Sequence, residues 1–154
     1  ALGNRSILAD PRRKDMKSIL NARVKFRESF RPFTPSVLAE RASEFFELDI
    51  ESPFMLLAPY VKPGKDKIVP AITHADNTAR VQTVTLEYNE RYYNLIKAFD
   101  KLTGVPMILD TSFNVADEPI VETPLDSINC FLKTDIDVLC VDKFIIIKKN
   151  KFYE

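Results

Sequence analysis

Asn89-Glu90-Arg91-Tyr92-Tyr93-Asn94-Leu95-Ile96-Lys97-Ala98-Phe99-Asp100-Lys101-Leu102-Thr103-Gly104-Val105-Pro106-Met107-Ile108-Leu109-Asp110-Thr111-Ser112-Phe113-Asn114 is the stretch that decides the fold class. Asn89 is a helix cap, and Tyr92, Leu95, Ile96, Phe99 and Leu102 recur at helical spacing as one apolar stripe. Gly104 stops that helix and Pro106 lies just beyond it. Pro106–Leu109 then reads as a short buried strand that runs directly into the polar element Asp110-Thr111-Ser112-Phe113-Asn114. A helix feeding a strand in this way belongs to an interleaved α/β pattern.

Working outward, Thr123-Pro124-Leu125-Asp126 opens a further helix with a capping Thr, a first-turn Pro and an acid three residues after the cap. Leu125, Ile128 and Leu132 are expected on its core side. Val138–Val141 and Phe144–Ile147 read as strands covered on both faces, since each run is continuously apolar. Upstream, Arg12–Leu20 reads as a short helix after Asp10-Pro11, Val24–Arg27 as extended and Phe33–Leu38 as a mixed stretch broken by Pro32 and Pro35. Ala39–Leu48 reads as a helix, Phe54–Val61 as a strand, residues 61–67 as a polar loop around Pro63-Gly64, and Ala71–His74 and Arg80–Glu87 as extended around a turn at Ala75-Asp76-Asn77-Thr78. The order interleaves helices and strands without repeats or a domain boundary.

At 154 residues, 45% hydrophobic and 29% charged, the chain suits a single globular domain. The net charge of zero speaks against nucleic acid, but its distribution is uneven: residues 1–41 hold ten Lys and Arg against four Asp and Glu. That basic portion suits an anion site. Three glycines argue against a P-loop or dinucleotide fingerprint, so any bound phosphate is expected to be held by side chains. Cys130 and Cys140 lie in apolar surroundings and read as buried, reduced thiols. One His and two Cys argue against a zinc site. No apolar run approaches the length of a membrane span, and no signal peptide is evident, which fits a cytoplasmic protein.

The candidate site residues are cations and small polar groups. If its segment is a strand, Lys25 and Arg27 point the same way, as do Ser112 and Asn114. Cations two residues apart, with Arg31 close behind and Arg80 further on, would neutralise a polyanion, while a hydroxyl and an amide hydrogen-bond its oxygens. Plainer readings stand beside this one. Lys25 and Arg27 also suit the gatekeeper charges of an edge strand. Arg80 suits a salt bridge to Asp76 or Glu87, and Ser112 and Asn114 suit an ordinary turn. His74 suits a structural role, and Asn4 and Arg5 suit a capped first turn.

Several segments, in order and across nearly the whole chain, resemble the C-terminal domain of the O-carbamoyltransferases. They are Ala1-Leu2-Gly3-Asn4-Arg5-Ser6-Ile7-Leu8-Ala9-Asp10-Pro11; Val24-Lys25-Phe26-Arg27-Glu28-Ser29-Phe30-Arg31-Pro32-Phe33; Thr73-His74-Ala75-Asp76 with Thr78-Ala79-Arg80-Val81-Gln82-Thr83-Val84; Thr103-Gly104-Val105-Pro106; and Thr111-Ser112-Phe113-Asn114 with Glu118-Pro119-Ile120-Val121. That domain is similar in fold to YrdC-like proteins, a twisted mixed β-sheet flanked by helices, which carry Lys-x-Arg and Ser-x-Asn elements. The resemblance implies that carbamoyl phosphate and ATP, with Mg²⁺, give carbamoyl adenylate. A larger N-terminal domain holding an iron ion would then pass the carbamoyl group to a small-molecule hydroxyl. It also implies that Lys25, Arg27 and Arg80 act in catalysis, and that Arg31, Ser112, Asn114, Arg5, His74 and Thr78 bind substrate and nucleotide. No residue of this chain is expected to bind a metal directly.

The chain departs from the family pattern at Asn77, Asp110 and Asp117, where Gly, Asn and Gly are usual. Asp110 would repel a phosphate or help hold Mg²⁺. The start at Ala1, without Met, suggests a piece of a longer protein whose family would carry a Gly-Pro-Arg-like run upstream, so residues 1–154 are expected to fold but to be weak or inactive alone. A relative of YrdC acting on tRNA, and a docking module without catalysis, are the other readings the sequence allows.

Overall fold

A computed structural model describes residues 2–28 and 30–148; Ala1 and Ser29, both within stretches quoted above, and residues 149–154 lie outside the described residues. A four-stranded mixed sheet organises the chain in the order β1-β4-β2-β3, with β1 at Ser6–Ala9, β2 at Thr34–Leu38, β3 at Gln82–Val84 and β4 at Met107–Ser112. β4 runs antiparallel to both β1 (Ser6↔Ser112) and β2 (Thr34↔Asp110), while β2 and β3 are parallel (Ser36↔Gln82). Pro35 is tolerated because the parallel ladder begins one residue later, at Ser36.

The helices cover the two faces of this sheet. α2, Glu90–Thr103, starts at Asn89, whose side chain accepts the Tyr92 N–H, and ends at Gly104 in left-handed geometry. Its Tyr92, Tyr93 and Ile96 bury against Leu38, Val84 and Ile108. The larger core lies on the other face. There Val37, Met107, Leu109 and Phe113 meet Leu20 and Val24 from the N-terminal portion, Phe45, Phe46, Val61 and Val69 from the long β2–β3 connection, and Cys130 and Phe131 of α3, Pro124–Lys133. α3 carries the expected capping box, with Thr123 and Asp126 bonding each other's backbone N–H groups.

Several sequence expectations fail for physical reasons. Val24–Arg27 is not extended. α1, Met16–Leu20, continues as a π-helical turn over Asn21–Lys25, which Phe26 ends at φ 49°. The face-sharing argument for Lys25 and Arg27 therefore falls. Ala39–Glu44 is a short 3₁₀ helix, and the chain leaves it to form a single bridge between Phe46 and Val61. Phe54–Val61 makes only isolated bridges, Leu57 to Val81 and Tyr60 to Thr78, and Pro59 between them can donate no backbone hydrogen bond. Ala71 and Ile72 lie in turns. On α3 the buried positions are Ser127, Cys130 and Phe131, so Leu125, Ile128 and Leu132 face outward; on α2, Leu95 and Leu102 do the same.

β5, Val138–Val141, and β6, Phe144–Ile147, form a separate two-stranded antiparallel ribbon. They are not covered on both faces: every residue of β6 is exposed, and so is Cys140. Lys148 closes the ribbon by donating its ammonium to the Thr134 carbonyl and lying 4.9 Å over the Phe131 ring.

Asp110 also departs from expectation. It is 1% exposed, buried between the sheet and α2, where it can meet neither solvent nor a bound phosphate. Its Oδ2 accepts the Gly3 N–H at 3.0 Å and the Tyr92 hydroxyl at 3.2 Å, while Oδ1 has no partner among the described residues. Ser36 Oγ lies 3.2 Å from Oδ2 and 2.7 Å from Gln82 Oε1, with one proton between two oxygens. The one Ser36 hydroxyl proton therefore serves either Asp110 or Gln82, and the carboxyl is left poorly satisfied. Burial raises the Asp110 pKa above the ordinary carboxylate value, opposed by the surrounding hydrogen bonds. Gly3 sits against Tyr92 so closely that an added Cβ would fall 2.2 Å from its ring.

Because the folded pKa lies above the unfolded one, folding favours the neutral acid. Its stability is fully present below the unfolded carboxylate range and is lost as pH rises through the folded value. Asp110→Asn is therefore expected to raise stability at pH 7 by about 1–3 kcal/mol, the cost of a poorly satisfied buried group, and to bring little gain at pH 4. Urea unfolding at the two pH values reads this out; an Asn variant less stable at pH 7 contradicts a burial cost on the ionised carboxylate.

Candidate functional site

Lys25 joins the N-terminal portion to the end of β4. The π-helical turn carries it inward until it is only 3% exposed. Its ammonium donates to the Ser112 carbonyl at 2.5 Å, Ser112 Oγ at 3.1 Å, the Asn114 carbonyl at 3.0 Å and Asn114 Oδ1 at 2.8 Å. Ser112 Oγ in turn donates to Asn114 Oδ1 at 2.6 Å, and Asn114 Nδ2 donates to the Glu118 carbonyl at 2.7 Å. Desolvation lowers the Lys25 pKa to about 8, with the nearby Arg27 cation contributing. The lysine is still mostly charged at neutral pH, and the oxygens around it are what make that charge tolerable.

Beside this cluster lies a hollow of about 310 Å³ lined by Arg27, Arg31, Phe33, Thr34, His74 and Arg80, with Pro32 and Ala58. Its lining contains no carboxylate. Arg27 donates from Nε to Asn21 Oδ1 at 2.8 Å and stacks 4.9 Å over the Phe33 ring. Arg80 reaches Thr34 Oγ1 at 3.5 Å, and among the described residues neither Arg27 nor Arg80 forms an ion pair. Arg31 is within 3.9 Å of Glu28, an exposed and weak pairing. Burial and then the Arg31 cation lower the Arg27 pKa, while the Glu28 carboxylate opposes the shift.

His74 closes one side. Burial lowers its pKa, so the ring is neutral at pH 7, while Asp76 opposes that shift. Thr78 gives its hydroxyl proton to Asp76 Oδ1 at 2.7 Å and lies 3.1 Å from His74 Nδ1, which makes it a support for the histidine. Asn77 turns the chain here at φ 62°.

The expected residues thus separate into adjoining groups. Arg27, Arg31, Arg80 and His74 share one hollow; Lys25, Ser112 and Asn114 bond one another. Arg5 stands apart from both. It donates to the Val121 carbonyl at 3.1 Å and lines a second hollow of about 400 Å³ with Asn4 and the start of α3. Its backbone carbonyl accepts the Phe113 N–H, so it braces the loop that follows Ser112. Asn21 and Thr34 were not singled out by the sequence, because a lone amide and a lone hydroxyl between apolar residues carry no spacing signal. Among the described residues no three His, Cys, Asp or Glu side chains form a metal cage, and the hollow's own donors are cationic. No helix is long and apolar enough to cross a membrane.

The carbamoyltransferase C-terminus family model matches residues 1–148. Nodulation protein NolNO of Sinorhizobium fredii is 51% identical over 97% of this chain and 22% of its own length, and nodulation protein NolO of Bradyrhizobium diazoefficiens is 51% identical over 97% and 28%. An uncharacterised Synechocystis protein is 46% identical over 96% of this chain and 27% of its own. The chain spans about a quarter of the length of these curated relatives.

Lys25 and Arg80 are expected to separate in a stability measurement. Lys25→Met keeps the stem but removes the ammonium that four oxygens share, and is expected to cost about 2–4 kcal/mol. Arg80→Ala, at an exposed position, is expected to stay within about 0.5 kcal/mol. Chemical denaturation of the two variants checks this; similar losses would remove the distinction between a structural and a ligand-facing cation.

Proposed function

Given that this chain belongs to the carbamoyltransferase C-terminus family, we propose that it forms carbamoyl adenylate from carbamoyl phosphate and ATP, for transfer to a small-molecule hydroxyl by another part of the full-length protein. The observation that carries this reading is the hollow where Arg27, Arg31 and Arg80 meet without a carboxylate. Gathering guanidinium groups costs free energy unless an anion sits among them, and planar forks suit phosphoryl oxygens bidentately.

In this reading carbamoyl phosphate loses its phosphate to water and leaves carbamate. A carbamate oxygen then attacks the α-phosphorus of ATP. The new bond is P–O to carbamate, the broken one is the α–β bridging P–O bond, and pyrophosphate departs with that electron pair. Negative charge grows on phosphoryl oxygens throughout. Arg27, Arg31 and Arg80 stabilise it from fixed positions, and no covalent nucleophile is required. Neutral His74 presents a ring to the carbamoyl end without adding charge, with Thr78 behind it. Lys25 acts from behind, holding Ser112 and Asn114 at the strand end while adding its positive potential.

Loss of one preorganised donor to a transition-state oxyanion commonly costs about 10²–10³ in rate. Arg27→Ala and Arg80→Ala, each in the full-length protein, are expected to lower carbamoyl phosphate-dependent ATP–pyrophosphate exchange by about 10²-fold or more. Exchange at the parent rate in both variants would sink the proposal.

A further inference from the structure

We infer that Asn21 is a positioning residue that aims the Arg27 guanidinium into the hollow; this deepens, and rests on, the function proposed above. Asn21 is fully buried at the first position of the π-helical turn. Its side chain grips the basic segment at both ends: Oδ1 accepts the Arg27 Nε–H at 2.8 Å, and Nδ2 donates to the Arg31 carbonyl at 3.1 Å. Its backbone carbonyl accepts the N–H of Phe26 and, at 3.0 Å, that of Arg27. One residue therefore fixes where the segment 26–31 leaves the helix and how its first arginine is rotated.

The bond to Nε matters for what it leaves over. With Nε held by Asn21 and the guanidinium plane laid over Phe33, the two terminal nitrogens make no hydrogen bond to a described residue. Their four N–H groups remain for a ligand. An amide suits this task because it is neutral. A carboxylate at this position would orient the arginine equally well but would cancel the charge a phosphoryl group needs. Only an amide also supplies the donor that the Arg31 carbonyl accepts. The wide turn supports the arrangement, since a π-helical insertion re-aims the side chains that follow it.

The test is a double-mutant cycle in the full-length protein, read by carbamoyl phosphate-dependent ATP–pyrophosphate exchange with thermal unfolding as the fold control. Asn21→Ala is expected to lower exchange about tenfold to a hundredfold, the scale of a displaced binding group. The double variant Asn21→Ala/Arg27→Ala is expected to fall within about threefold of Arg27→Ala alone, because the side-chain bond that aims a group into the hollow is the one to that arginine. Losses that multiply overturn the inference, as does Asn21→Ala within threefold of the parent while Arg27→Ala is inactive. If Asn21→Ala does not fold, Arg27→Lys decides. It keeps the charge but not the Nε–H bonded to Asn21, and is expected to lose nearly as much exchange as Arg27→Ala; exchange within threefold of the parent overturns the inference. Full exchange in Arg27→Ala would instead remove the functional reading, and this inference with it.

Discussion

The buried ammonium of Lys25 is the contact on which the site depends. It joins residues 87 and 89 positions apart in sequence, so it locks the end of the π-helical turn to the end of β4. A cation withdrawn from water this far is tolerable only when its protons are met, and here carbonyl, hydroxyl and amide oxygens crowd around them. No carboxylate is among its hydrogen-bond partners, although the nearby Asp110 favours its charged form. The charge is therefore screened by dipoles and not neutralised, and its positive potential persists beside the arginine hollow. The interaction that fastens the scaffold also sets the electrostatics of the neighbouring site.

The arginines show the complementary strategy. Elsewhere on this surface, some arginines find acidic partners: Arg12 with Asp10, Arg13 with Asp15, and Arg41 with both Glu44 and Asp100. Arg27 and Arg80 do not, although the chain has as many acidic as basic residues. What sets these two apart is that they share one hollow whose lining holds no carboxylate.

Sequence patterns gave the second half of the fold well and the first half poorly, and the difference is physical. α2 and α3 carry their own boundaries in Asn89, Gly104 and the Thr123/Asp126 capping box, signals that act within one turn of chain. Residues 39–81 carry none. Their conformation is imposed by burial of Phe46, Val61 and Val69 beneath the sheet, a tertiary effect that no local period records. The stripe on α3 was misjudged by rotation, because Ser127 and Cys130 bury while bulkier leucines do not. At the site, residue types were legible but their placement was not. Lys-Phe-Arg reads as a strand by alternation, whereas Phe26 in left-handed geometry sends Lys25 to the core and Arg27 to the hollow. Asp110 shows the same limit, since a carboxylate beside Ser112 in sequence turns out to belong to the core.

The ribbon of β5 and β6 has its own consequence. Phe144-Ile145-Ile146-Ile147 is a bare, strongly strand-forming run at an unpaired border, the kind of surface on which other chains can template. Lys143 and Lys148 bracket it, one charge at each end. Stacking of one such run on another would bring like charges together at every step, which disfavours it.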